Sequence, residues 1–350
     1  FPFIGVSNHD YEKTGGIVML TPKENLLETI KVDGKPDRLV NQYEPFVHIG
    51  NDPLSVYTRG NRVRGTNSVD RWGTEILFPQ DAPGPMPHVT ESNKVCPDVT
   101  EWEKYVKVPD LAANCSDGWE AALASAAEVD RSEKLVMGFM GTGIFEQCHF
   151  LMGFEDTLMN FLLEPDDMKR LVARIAEYRF QYAKMIVDNL KPDAILSHDD
   201  WGAKHSLFMD PDIWREFFKE HYRRIYGYMR EHDVIVIHHA DSFLEPIVED
   251  MVEIGVQIWQ GVLPENDIPK LQKQLGGRMT LMGGVDATID RVDATEEEIR
   301  ASVRKTCETY GPGGHFIPCI TYGLAGTIYP HVDPIITDEI NRYNKETYNV

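Results

Sequence analysis

Ala194-Ile195-Leu196-Ser197-His198-Asp199-Asp200-Trp201-Gly202 decides the fold. A short run of small and apolar residues passes at once into an imidazole, two carboxylates, an indole and a glycine. The first half reads as a strand buried on both faces, and the second as a polar rim at its C-terminal end.

The same pattern recurs on either side. Upstream, Leu135-Val136-Met137-Gly138-Phe139-Met140 runs into Gly141-Thr142-Gly143-Ile144-Phe145-Glu146. Downstream, the β-branched run Val234-Ile235-Val236-Ile237 leads to His238-His239-Ala240-Asp241-Ser242. Val256-Gln257-Ile258-Trp259 is a further strand. Met279-Thr280-Leu281-Met282 precedes Gly283-Gly284-Val285-Asp286, and His315-Phe316-Ile317-Pro318 precedes Cys319-Ile320-Thr321-Tyr322-Gly323. Amphipathic segments fill the intervals. They run over residues 155–190 with a break near Pro165, 211–232 with Pro211 in the first turn, and 243–254 closed by Gly255. Others cover 268–275, 296–310 and 333–348.

Six strand–helix units in order predict a parallel sheet covered by helices, closing as an α/β (β/α)8 TIM barrel. The N-terminal third supplies the remaining strands, with Phe46-Val47-His48-Ile49 and Glu75 to Phe78 as candidates. An open doubly wound sheet competes, but no glycine-rich phosphate fingerprint follows the first strand. The whole chain, 1–350, reads as one domain. Residues 51–109, rich in Pro, Gly, Asp and Asn, read as an inserted excursion near the barrel mouth, with a hairpin around Asp70-Arg71-Trp72-Gly73.

Composition narrows the function. The formal charge of −21 disfavours nucleic acid and anionic membrane surfaces. No apolar run is long enough to span a bilayer. The opening Phe1-Pro2-Phe3-Ile4-Gly5-Val6 lacks the basic flank of a signal peptide. Five irregularly spaced cysteines read as reduced thiols, which predicts a cytoplasmic protein.

Barrels of this kind carry their chemistry at the C-terminal strand ends. Five of those ends present a carboxylate, imidazole or thiol to one mouth, and four also carry Gly. His239, Asp241 and Cys319 are the most chemical subset, because Zn2+ takes N, O and S donors and a catalytic site uses three of them. Glu146 is an alternative third ligand. His239, Asp199 and Glu146 are candidate catalytic residues, and Asp200, Trp201 and Tyr322 candidate substrate contacts. Blander readings stand beside these: Cys319 as a packed thiol, Asp199-Asp200 as a helix-capping pair, Glu146 as the partner of a neighbouring base. A metal-free site with His239 as general acid also stays open.

At these residues the chain resembles the uroporphyrinogen decarboxylase superfamily. Thr21-Pro22-Lys23-Glu24-Asn25 with Lys35-Pro36-Asp37-Arg38, Asp199-Asp200-Trp201-Gly202, His239-Ala240-Asp241, Gly283-Gly284-Val285-Asp286 and the Gly-Gly pair before the last strand follow its landmarks in order. The resemblance implies a (β/α)8 barrel. The decarboxylases hold an octa-anionic porphyrinogen with an Arg-rich N-terminal segment. Here the local arginine cluster, Arg59, Arg62, Arg64 and Arg71, lies in the excursion instead. The corrinoid-linked methyltransferases are the other branch. Their thiol-using members carry zinc on a His-x-Cys pair and a later Cys, for which this chain offers His239, Asp241 and Cys319. A carboxylate in place of the first Cys suits a metal that polarises an ether oxygen.

The resemblance therefore implies a cytoplasmic methyltransferase of anaerobes, the O-demethylase component that moves a methyl group from a methoxylated aromatic to the Co(I) corrinoid (cobalamin) of a separate corrinoid protein. It implies Zn2+ in the site and allows a homodimer. The alternatives are methyl transfer from a methylcorrinoid to a thiol or folate, uroporphyrinogen decarboxylase itself, and a binding barrel without catalysis.

Overall fold

The computed structural model describes residues 19–59, 63–80, 82, 84–322, 328–348 and 350. The expectations placed on residues 1–6, Arg62, Gly323 and the Arg59 side chain lie outside the described residues.

Seven parallel strands form the central sheet: β1 (Phe46–His48), β5 (Leu135–Met140), β6 (Ala194–His198), β7 (Ile235–His239), β8 (Ile258–Val262), β9 (Thr280–Val285) and β10 (Phe316–Ile320), in that spatial order. Between them β2 (Thr66–Val69), β3 (Glu75–Phe78) and β4 (Met86–Pro87) make a separate antiparallel sheet. The fold is the expected α/β barrel, and all six strand–helix units fall where the hydrophobic runs place them. Met137, Phe139, Leu196, Ile237, Ile258, Met282 and Ile317 share one buried cluster. Their neighbours Val136, Ile195, Val236, Trp259, Leu281 and Phe316 share the other, with the long helix Pro165–Leu190 and the helix Glu220–Glu231. Alternation along each strand thus sorts residues between the barrel interior and the helical layer.

One expectation is corrected. Residues 75–78 do not supply a barrel strand; they pair with residues 66–69 in the excursion. The turn decides this. Asp70 Oδ1 accepts from Trp72 N at 2.8 Å and Thr74 N at 2.9 Å, which closes a hairpin whose partner is already in place. The predicted hairpin around Asp70–Gly73 is this one.

Side chains bridge the two edges of the sheet. Asn344, on the last helix (Val332–Tyr348), accepts from Leu39 N at 3.1 Å and donates to Leu39 O at 2.8 Å. Asn41 Nδ2 donates to Thr337 O at 2.9 Å, and Gln42 Nε2 to Asp333 Oδ1 at 3.1 Å. Asn344→Ala leaves a buried backbone donor and acceptor unpaired. It is expected to lower the unfolding free energy by about 2–4 kcal/mol, read as a drop in urea midpoint at constant m value.

Two features of the helical layer bear on the site. The helix from Pro211 to Glu231 contains a π-turn at Arg215–Lys219. Beyond it, Tyr222 and Tyr226 stand one turn apart on the same face and both point at the sheet. Arg179, on the helix Pro165–Leu190, is 1% exposed; it donates to Gly141 O and, at 2.9 Å, to Ser197 Oγ. It thereby ties the helical layer to the loop that follows β5. No helix of the described residues is long and apolar enough to cross a membrane. All five cysteines are buried free thiols.

Candidate active site

A cavity of about 640 Å3 opens at the C-terminal ends of the strands. Its apolar wall is aromatic: Phe139, Phe150, Phe154 and Phe208. Ile76, Pro85, Met86 and Pro87, all from the 51–109 segment, line its roof. Its polar floor is Glu146, His198, Asp200, His239, Asp241 and Gln260.

The floor follows from the pleat. Leu196 points into the barrel, so His198 does too, and the two-residue step carries on past the strand end to Asp200. On β7 the same step runs from Ile237 to His239 and Asp241, and on β8 from Ile258 to Gln260. The intervening residues face the other way. His198 and His239 are register partners, and their rings stack at 4.5 Å and 22°.

His198, Asp200 and His239 offer three ligand atoms within 4.8 Å of one another. Both imidazoles are oriented from behind. His198 Nδ1 lies 2.9 Å from Glu146 Oε2, and that oxygen also accepts from Gly143 N at 2.9 Å. His239 Nδ1 bonds to Gln260 Oε1, while Gln260 Nε2 donates to Ile320 O. With Nδ1 engaged on each ring, Nε2 is the nitrogen left to face the cavity. Two imidazole nitrogens and a carboxylate oxygen are the composition of a catalytic zinc site, and the Glu146 and Gln260 partners are the outer supports such a site needs.

The charges agree with that composition. Burial penalises both members of the Glu146–His198 pair, but each stabilises the other. The Glu146 carboxyl is held down at about 2 and the His198 imidazole pushed up to about 10. At neutral pH His198 thus carries a proton on the nitrogen that faces the cavity, where a cation would substitute for it. Burial, then the nearby His198 charge, lowers His239 to about 4 and leaves its lone pair available. Burial pushes Asp200 up to about 7 against the pull of His198. It also pushes Asp241 up to about 6, with Asp200 adding to the shift.

The other sequence candidates fall in different places. Asp241 lines the cavity, half-buried, but joins no group of three ligand atoms among the described residues. Cys319 also stands outside the triad. It is fully buried on the barrel-facing side of β10, with the Gln260 amide beside its sulfur, and burial pushes the thiol far up. Tyr322 lines the cavity and donates its hydroxyl to Asp290. Trp201 does not reach the cavity: fully buried, it stacks on His238 at 3.9 Å and packs on Trp214.

Asp199 is fully buried too, and its acceptor sites are filled. It takes Phe145 N at 3.1 Å, Glu146 N at 3.0 Å, Trp201 Nε1 at 2.9 Å and Tyr222 OH at 2.5 Å. It therefore caps the helix Ile144–Met152, which follows a different strand. A Cβ on Gly143 would meet the Asp199 carboxylate at 1.9–2.2 Å, so the residue there has to be glycine. His238 belongs with this buried layer, its Nδ1 2.7 Å from Tyr226 OH.

Two polar residues, His198 and Gln260, and the residues of the roof have no role assigned from sequence. His198 lay in plain view in the opening stretch, and the period-two step from Leu196 identifies it. Gln260 had a weaker signal, a lone amide two residues beyond Ile258. The roof residues have no individual signal: composition marks 51–109 as an excursion, but only tertiary structure brings Ile76 and residues 84–87 to the cavity.

Comparison with known proteins places the chain. The uroporphyrinogen decarboxylase family model matches residues 70–334. A curated uroporphyrinogen decarboxylase from Thioalkalivibrio sulfidiphilus is 27% identical over 161 residues, covering 43% of this chain and 41% of that protein. The chain thus aligns with less than half the length of that curated relative. A solved methyltransferase from Methanosarcina mazei superposes with a TM-score of 0.64 at 17% identity, over 93% of this chain and 99% of its own. That likeness concerns the fold.

Proposed function

The chain belongs to the uroporphyrinogen decarboxylase family, and from that premise and its own mouth we propose that it is a methyltransferase, the component that demethylates an aryl methyl ether for a corrinoid protein. One observation carries the reading: a His198–Asp200–His239 donor set at the floor of an aromatic cavity. Zinc fits this set, held by the two imidazoles and the Asp200 carboxylate. When bound it supplies Lewis acidity toward the oxygen of the departing phenolate.

The residues of the chain do the rest. Phe139, Phe150, Phe154 and Phe208 hold the ring flat against an apolar wall. Tyr322 closes one side, fixed by its bond to Asp290. Glu146 and Gln260 hold His198 and His239 in their tautomers. Pro85, Met86 and Pro87 add apolar surface to the lining beside the aromatic wall. The methyl group leaves the ether oxygen for the Co(I) centre of a corrinoid carried on a separate protein, and the C–O electron pair stays with the phenolate.

Decarboxylation of a porphyrinogen is disfavoured by the lining. Among the described residues that line the cavity there is no Lys or Arg, whereas Glu146, Asp200 and Asp241 all face it. An octa-anion would meet those carboxylates with only the His198 imidazolium to offset them among the described lining residues. Methyl transfer to a thiol is disfavoured by the donor set, which holds nitrogen and oxygen and no sulfur.

The test is turnover. The purified chain, a reduced corrinoid protein and a methoxylated aromatic together are expected to give methylcobalamin and the free phenol, while omission of the corrinoid protein gives none. Demethylation by the chain alone would reject the reading, and so would decarboxylation of uroporphyrinogen at a comparable rate.

A further inference from the structure

Of the five non-glycine residues with positive φ among the described residues, Thr142 alone is β-branched and alone lines the cavity. Its φ of 43° lies in the left-handed region, which a β-branched residue enters only at a cost in free energy. Bonds on both sides hold it there. Arg179 donates to Gly141 O, and Gly143 N donates to Glu146 Oε2 at 2.9 Å. Glycine at 142 would relieve the strain, yet glycine stands only at the two neighbours, and there for reasons of packing. A Cβ at 141 would press on the Phe139 ring at 2.9 Å, and one at 143 would overlap the Asp199 carboxylate. Thr142 is thus the one side chain of this lip, kept against its backbone preference. Strain held in place by the surrounding structure gathers at sites where the side chain is used.

The position of the lip indicates the use. Gly141 packs beside the Phe139 ring of the aromatic wall, and Gly143 is one hydrogen bond from Glu146, which supports His198. Thr142, half-buried between them, stands where the aromatic wall meets the polar floor. A ring laid on that wall with its methoxyl toward the floor brings the ether oxygen to the same junction. We infer that Thr142 is a catalytic residue whose hydroxyl donates a hydrogen bond to the ether oxygen. The inference rests on the aryl-ether reading and adds a residue to it. An aryl ether oxygen accepts weakly and a phenolate strongly. The bond therefore strengthens as the methyl group passes to Co(I) and the C–O electron pair stays on the oxygen. Thr142 keeps its proton throughout, because an alcohol is a weaker acid than a phenol.

The test is a single turnover of anisole with a pre-reduced corrinoid protein, followed as methylcobalamin formation, in the wild type, Thr142→Val and Thr142→Ser. Valine keeps the β-branched shape and deletes the hydroxyl, whereas serine keeps the hydroxyl. Thr142→Val is expected to lower the rate at saturating anisole by about 10–100-fold, while the half-saturating concentration changes by less than about threefold. Thr142→Ser should recover most of that loss. Calorimetry on the zinc-loaded full chain gives a readout apart from turnover. Thr142→Val should weaken binding of phenol, which carries the product oxygen, by about tenfold and binding of anisole by less than about threefold, with zinc content and thermal midpoint held. A wild-type rate in Thr142→Val, or an equal loss in the serine and valine variants, would overturn the inference and leave the aryl-ether reading standing. Loss of zinc or a lowered midpoint in Thr142→Val would also overturn it, by making Thr142 a structural support. No turnover of anisole and no binding of either probe by the zinc-loaded wild type would overturn the aryl-ether reading and the inference together.

Discussion

His198→Ala and His239→Ala are each expected to strip the protein of zinc. Elemental analysis of the wild type should find about one ion per chain, and each variant close to none after dialysis against a mild chelator. The reason is the size of the donor set. With three protein ligands within 4.8 Å of one another, removing one leaves two, too few for a closed catalytic zinc site. Supporting residues should act more gently. Glu146→Gln and Gln260→Ala leave the ligands in place but release their Nδ1 atoms, and the expected loss of affinity is about 10–100-fold. Cys319→Ala should keep its zinc, because its buried thiol lies outside the triad. Normal zinc in both histidine variants would remove the metal from this floor. Loss of zinc in Cys319→Ala would restore the thiol to the site.

The second large effect concerns stability. Asp199→Ala is expected to destabilise the fold by about 3–5 kcal/mol, since it leaves two helix N-terminal amides, an indole N–H and a tyrosine hydroxyl unpaired in a dry layer. The measurement is equilibrium urea unfolding, with a lowered midpoint and an unchanged m value. Asp199→Asn keeps the shape and one acceptor, and should cost less. Gly143→Ala should reproduce much of the loss from the other side of the contact, because its methyl would occupy space the Asp199 carboxylate holds. A catalytic Asp199 predicts the reverse: full stability with activity abolished. Wild-type stability in Asp199→Ala would therefore return it to the list of reacting groups.

The two predictions separate neighbours in the sequence. Asp199 and Asp200 are adjacent carboxylates, and His238 and His239 adjacent imidazoles, yet one of each pair faces the cavity and the other the helical layer. Nothing in residue type tells them apart. The resemblance to known relatives does not either, since its landmarks include both aspartates in one motif.

What the sequence by itself determined was the barrel and the ring of rim residues. Both are local. A buried parallel strand is written as a short apolar run, its helix as a 3.6-residue pattern, and a residue just past the run stands at the strand end whatever the rest of the chain does. The runs at 135–140, 194–197 and 279–282 each placed a strand and a stretch of rim. Only the tertiary structure decided which rim residues meet. The alternation past the ends of β6 and β7 holds because Asp199 N bonds to His239 O and Asp241 N to Asp200 Oδ1, contacts between residues some 40 positions apart. The same holds for the excursion. Glu75–Phe78 has the composition of a strand, but whether it joins the barrel or a hairpin depends on which partner lies closer, and the Asp70 turn supplies that partner within ten residues. Cys319 had the right element and the right face. Its distance from the donor triad is set by the curvature of the whole sheet, which no local pattern encodes.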